Sequence, residues 1–94
     1  MPWIHIRYRV TDYNTWKQVY DQTAALKRGQ GWKRYRIFQV AGDRNDLLVM
    51  EEFASLEQAR TFLQSDDLKN AIRQAGVLGT PEILLLEGLE EGLP

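Results

Sequence analysis

The chain has no cysteine, one histidine and three prolines in 94 residues. Without cysteine there is no disulfide framework and no thiolate metal site. That suits a reducing compartment, and the cytoplasm is the expected location. The single histidine, His5, belongs to no His/carboxylate cluster at ligand spacing, so no metal is expected. A glycine-rich phosphate loop and a nucleophile elbow are both missing, and with them any standard motif for holding an organic cofactor. No apolar run approaches the roughly 20 residues that span a bilayer. The N-terminus, MPWIHIRYRV, has arginines inside its apolar stretch, unlike a secretory signal. A formal net charge of −1 argues against nucleic acid as the main partner.

What is present is one domain, residues 1–94, with a legible rhythm. From Trp3 to Val10 the residues alternate: Ile4, Ile6, Tyr8 and Val10 point one way, and Trp3, His5, Arg7 and Arg9 the other, as in a strand. Asp12 is a helix cap. Tyr13, Trp16, Tyr20, Ala24 and Leu26 then fall on a helical stripe, with Lys27 and Arg28 suited to the negative end of the dipole and Gly29 and Gly31 ending the helix. Trp32–Val40 reads as a second strand. Ala41 to Asp46 is turn chemistry and implies a hairpin. Leu47-Leu48-Val49-Met50 is an unbroken apolar run that suits a strand buried on both faces. Ser55-Leu56-Glu57-Gln58 fits a capping box, followed by the stripe Leu56, Ala59, Phe62 and Leu63. Ser65 to Asp67 caps a second helical piece that ends at Gly76. Val77 to Thr80 reads as a connector, Pro81 leads into a last strand over Glu82–Leu86, and an acidic tail follows.

Strand, helix, strand, strand, helix, strand is the pattern of a ferredoxin-like α+β unit: a four-stranded antiparallel sheet with helices on one face and the first and third strands in the centre. Helices on one side cover one sheet face only, yet the third and last strands are apolar on both. A second copy of the same sheet is the economical cover, giving a homodimer through the open face.

Three segments carry a resemblance: Arg7-Tyr8-Arg9-Val10 with Asp12-Tyr13 and Trp16, Glu52-Phe53 with Leu56-Glu57, Ala59 and Arg60, and Ala75-Gly76-Val77 with Gly79 and Pro81. Together they resemble small bacterial proteins of the dimeric α/β-barrel superfamily, cyclase-like or antibiotic-biosynthesis-monooxygenase-like. The resemblance spans nearly the whole chain. It implies the dimer, the barrel and a cofactor-independent oxygenation or cyclisation in which the substrate supplies the electrons. Where the group's pattern has histidine beside the first-strand arginine, this chain has Tyr8.

Four residues are candidates for a ligand site; no catalytic residue is assigned. His5 could shuttle protons or sit hydrogen-bonded in an interface. Glu51 is a carboxylate on an otherwise apolar strand face, either a general base in a cavity or the partner of Arg7 or Arg9 across the sheet. Arg7 is a candidate in its own right. Arg36, which matches an arginine in the second strand of the resembled group, could grip a carboxylate or enolate, or pair with a partner-chain glutamate. Two readings follow. One is a small, mostly apolar ligand in a barrel cavity, with or without catalysis; the other is a homodimeric module with no ligand site. A cavity of roughly 300 Å³ or more beside Glu51 or His5 favours the first.

Overall fold

The computed structural model describes residues 1–94. Four strands, β1 (Trp3–Val10), β2 (Trp32–Val40), β3 (Asp43–Phe53) and β4 (Val77–Leu86), form one antiparallel sheet in the order β2-β3-β1-β4. Between β1 and β2 run α1 (Tyr13–Gln22) and α2 (Ala24–Gly29); between β3 and β4 run α3 (Leu56–Leu63) and α4 (Asp66–Gln74). This is the ferredoxin-like arrangement, with β1 and β3 central.

Register fixes which residues share a face. Ile4, Ile6 and Tyr8 stand opposite Glu51, Val49 and Leu47. These point at the helices, where they meet Trp16, Tyr20, Phe62 and Leu68 in the core. The other face carries Trp3, His5 and Arg7 opposite Glu52, Met50 and Leu48. No helix covers it. Phe38 and Leu84 there remain 45% exposed in the isolated chain.

The caps fall where side-chain chemistry places them. Asp12 accepts from the Thr15 N–H at 2.9 Å, Ser55 from Gln58 at 3.1 Å, and Ser65 from Leu68 at 3.2 Å. Gln58 returns the contact through its side-chain oxygen, which accepts from the Ser55 hydroxyl at 3.1 Å, rather than through the serine backbone N–H. Just ahead of that cap Phe53 stacks on Phe62, with ring centroids 5.3 Å apart, and ties the start of α3 to the core.

Three boundaries differ from expectation. The first helix is two helices, because Thr23 donates its hydroxyl back to the Tyr20 carbonyl at 2.8 Å and the chain re-aims there. The hairpin turn is shorter than Ala41 to Asp46. It closes on Ala41-Gly42, with Gly42 at φ +86°, and Asp43 already pairs with Val40. Asn45, expected in the turn, instead lies in β3 and accepts from the Tyr13 N–H at 3.1 Å, a second cap for α1. Finally, Val77 to Thr80 is strand rather than connector. Val77 pairs with Val10 and Leu78 with Arg9 before the register shifts beside Gly79 at φ +68°. A glycine bulge hides this half-strand from a periodicity reading, and Pro81 is tolerated because β4 is an edge strand.

Candidate functional site

The helix side of the sheet holds one buried ionic cluster. Glu51, from the middle of β3, is 2% exposed. Its Oε2 accepts from Tyr20 Oη at 2.9 Å and from Lys27 Nζ at 3.0 Å. Both contacts use the same oxygen, so Oε1 has no protein donor. The cation is therefore Lys27, not Arg7 or Arg9. Those arginines lie on the opposite face, where Arg7 makes a two-pronged contact with Asp46 at 3.1 and 2.8 Å and Arg9 stands 3.5 Å from the same carboxylate. Strand alternation explains the correction: Arg7 and Arg9 are out of phase with Glu51, whereas Asp46 is in phase with them.

Lys27 lies on α2, just past the break at Thr23, and its side chain reaches Glu51. Its ammonium stands 3.4 Å from the centroid of the Tyr20 ring and 4.5 Å from that of Trp32, a cation held against two aromatic faces. Burial pushes the lysine below its ordinary value; the charge of Glu51 and its hydrogen bond act against that shift. The Tyr20 hydroxyl is pushed far up by burial and by the carboxylate, and Tyr8 likewise. Both phenols remain protonated, and Tyr20 donates to Glu51. Lys27 could have been found from spacing: residues 13, 16, 20, 23 and 27 follow one helical stripe, which puts the lysine on the inner face. Its place in the last helical turn, where a cation suits the dipole, disguises that inward position.

Next to the cluster lies a cavity of about 30 Å³, walled by Tyr8, Trp16, Tyr20, Glu51, Leu68 and Ile72 among others. That is room for about one or two water molecules, a tenth or less of the roughly 300–1,000 Å³ of a ligand pocket and short of the volume expected beside Glu51 for a ligand site. Its aromatic wall is continuous: Trp16 stacks on Tyr20 at 4.9 Å and meets Tyr8 at 5.7 Å. Two of its walls are thinly buried: α4 has Leu68 and α2 has Lys27 as its one buried residue.

The other three candidates are elsewhere. His5, Arg7 and Arg36 all sit on the open face, so the structure does not bring them to Glu51. His5 Nε2 is buried without a hydrogen-bond partner. Arg36 makes no ion pair, while its neighbour Arg34 holds Glu52 at 2.9 Å. A wide cleft of about 660 Å³ opens over this face, between Trp3, Arg36, Phe38 and Met50 on the sheet and Gly88–Glu91 of the tail. No cluster of three or more His, Asp or Glu side chains is placed to hold a metal, and no helix is long and apolar enough to cross a membrane.

No protein-family model and no curated protein sequence matches the chain. Solved structures do. SnoaB from Streptomyces nogalater, a cofactor-independent oxygenase, superposes with a TM-score of 0.79 at 16% identity, over 96% of this chain and 94% of that one. The chain has that fold. A Caulobacter crescentus protein provisionally assigned as an antibiotic biosynthesis monooxygenase gives 0.74 at 20% identity, covering 95% and 90%. A Nitrosomonas europaea protein of unknown function gives 0.73 at 15%, covering 99% and 93%. These neighbours match the resemblance read from the sequence motifs. At such identities the likeness establishes architecture, and chemistry has to be argued from the residues of this chain.

Proposed function

We propose that the chain works as a homodimer, paired through the open sheet face, and binds a small, mostly apolar molecule between sheet and helices, where it acts as a cofactor-independent monooxygenase. One observation carries this reading: a buried carboxylate with an uncommitted oxygen borders an aromatic-walled cavity and is backed by a fixed cation. An apolar core of this size has no structural need for an ion pair, and hydrophobic replacements of such pairs are often neutral or stabilising.

The chemistry follows from those groups. A planar substrate with an acidic CH₂ between aryl or carbonyl groups would lie against Trp16 and Tyr20. Glu51 Oε1 takes one proton, and the Lys27 ammonium and Tyr20 hydroxyl offset the negative charge that develops. The carbanion gives its electrons to dioxygen, a proton returns to the peroxide, and loss of water leaves a carbonyl. One CH₂ and one O₂ become one C=O and one H₂O, so the substrate is the reductant and no cofactor is consumed. Admission of such a guest requires the helix layer to open, because the closed cavity holds only water-sized species.

The small cavity volume favours a second reading, a homodimeric module whose Lys27–Glu51 pair is purely structural. Titration with fused-ring phenols, 1-naphthol the smallest, separates the two. The ligand reading expects saturable quenching of tryptophan fluorescence that weakens in Trp16→Leu. It also expects oxygen uptake with a fused-ring CH₂ substrate that Glu51→Gln abolishes while binding persists. Absence of saturable binding across the panel leaves the structural reading.

A further inference from the structure

Of the four lysines, Lys27 alone is buried; Lys17 is half-buried, and Lys33 and Lys69 are exposed. Lys27 combines three features that the others lack together. Burial pushes its amine below the ordinary lysine value, toward the free base that acts as a nucleophile. A buried carboxylate, Glu51, stands 3.0 Å from its nitrogen and can carry a proton. Its side chain also borders the helix-side cavity. Leu26 of α2 and Asp67 of α4, both exposed, line the same cavity and mark its side nearest the solvent.

We propose that Lys27 captures a small aliphatic aldehyde covalently, as an iminium, with Glu51 carrying the protons. The ammonium proton passes to Glu51, the free amine attacks the carbonyl carbon, and the carbonyl oxygen takes a proton from Glu51. The nitrogen, now bonded to carbon and cationic, returns a proton to Glu51. Glu51 then protonates the hydroxyl, the C–O bond breaks, and the nitrogen lone pair closes the C=N bond as water leaves. One ammonium and one aldehyde become one iminium and one water, with nothing oxidised or reduced. One cation faces one carboxylate before and after, so capture never strands Glu51 as an unpaired buried charge. The Tyr20 and Trp32 rings, whose centroids lie 3.4 and 4.5 Å from the nitrogen, suit either cation.

Size sets the class of aldehyde. The cavity of about 30 Å³ has room for about one or two water molecules. Once its oxygen has left, acetaldehyde adds two carbons to the nitrogen, a similar bulk. The step needs no second chain, no dioxygen and no opening of the helix layer. It therefore goes beyond the oxygenase reading and stands apart from it.

Acetaldehyde with sodium cyanoborohydride at neutral pH, on the full-length chain, tests the capture. The hydride reduces an iminium to an ethylated lysine, which peptide mapping locates; the α-amine of Met1 serves as the internal reference. A buried lysine without such machinery is the last to react. The expected result is ethylation of Lys27 at least severalfold faster than of Lys33 and Lys69, with the preference lost in urea that unfolds the chain. Lys27 labelled no faster than the exposed lysines, or a preference that survives unfolding, overturns the proposal. The double variant Lys27→Met with Glu51→Leu, which leaves no buried charge unpaired, should lose the fast site and keep the slow ones; a fast site that persists overturns it too. Failed trapping with fused-ring binding intact removes the capture alone, and failed fused-ring binding with trapping intact removes the oxygenase reading alone.

Discussion

Lys27 and Glu51 meet at 3.0 Å with each side chain only 2% exposed, in a layer otherwise built from aromatic and aliphatic groups. A charge buried this deeply is tolerated only with its partner. Lys27→Met leaves the carboxylate unpaired and should cost about 3–5 kcal/mol, whereas Lys27→Met with Glu51→Leu should return much of that loss. Urea unfolding of the two single variants and the double variant checks it. A double variant as unstable as the sum of the singles would show that the two groups do not act as a pair.

Tyr20 donates to the same carboxylate oxygen. Tyr20→Phe keeps the ring that stacks on Trp16 and removes only the hydroxyl, so the loss should be about 1.5–3 kcal/mol, the range for a hydrogen bond to a charged group. The same unfolding measurement reads it, and a change under half a kilocalorie would mean that water replaces the phenol.

Asp46 gives a pH signature. The Arg7 guanidinium, through its hydrogen bond and charge, holds this carboxyl below the usual carboxylate range. A carboxyl depressed on folding adds stability above its unfolded value, about 3.9, and that contribution is lost as pH falls through the folded value. The stability difference between the native chain and Asp46→Asn should therefore be constant near neutral pH and shrink below about pH 4. A difference that instead grows on acidification contradicts the pairing.

Two glycines of the α4–β4 region make a controlled comparison. Gly76 and Gly79 both have positive φ, +73° and +68°, but a Cβ at Gly76 would lie 2.6 Å from Thr11 Oγ1 while one at Gly79 meets nothing. Alanine at either site pays the left-handed backbone penalty, about 1–2 kcal/mol. Gly76→Ala should be the more destabilising, and Thr11→Ala should remove the excess. Thermal unfolding of the three variants decides it.

The architecture was open to reading because alternation, caps and terminators are local. Ile4, Ile6 and Tyr8 announce their face, and Ser55 and Gly76 mark their helix ends. What escaped was long-range or disguised. Val77 to Thr80 pairs through a bulge whose glycine breaks the period. The helix break at Thr23 rests on one hydroxyl turning back on a carbonyl, and the inward place of Lys27 is disguised by a charge that also suits the last helical turn. The site suffered most from treating polar strand residues as one group. Alternation within a strand leaves open how Glu51 stands to His5, Arg7 and Arg36, and only the register between strands shows that it serves the opposite face of the sheet from them.

The sheet has a buried charge cluster under the helices on one face, and the proposed second chain would cover the other. Sedimentation equilibrium of the full chain over a wide concentration range tests this most directly. The expected result is a single species of twice the 11.0 kDa chain mass. A species of one chain mass at every concentration, with Phe38 and Leu84 left in water, contradicts it.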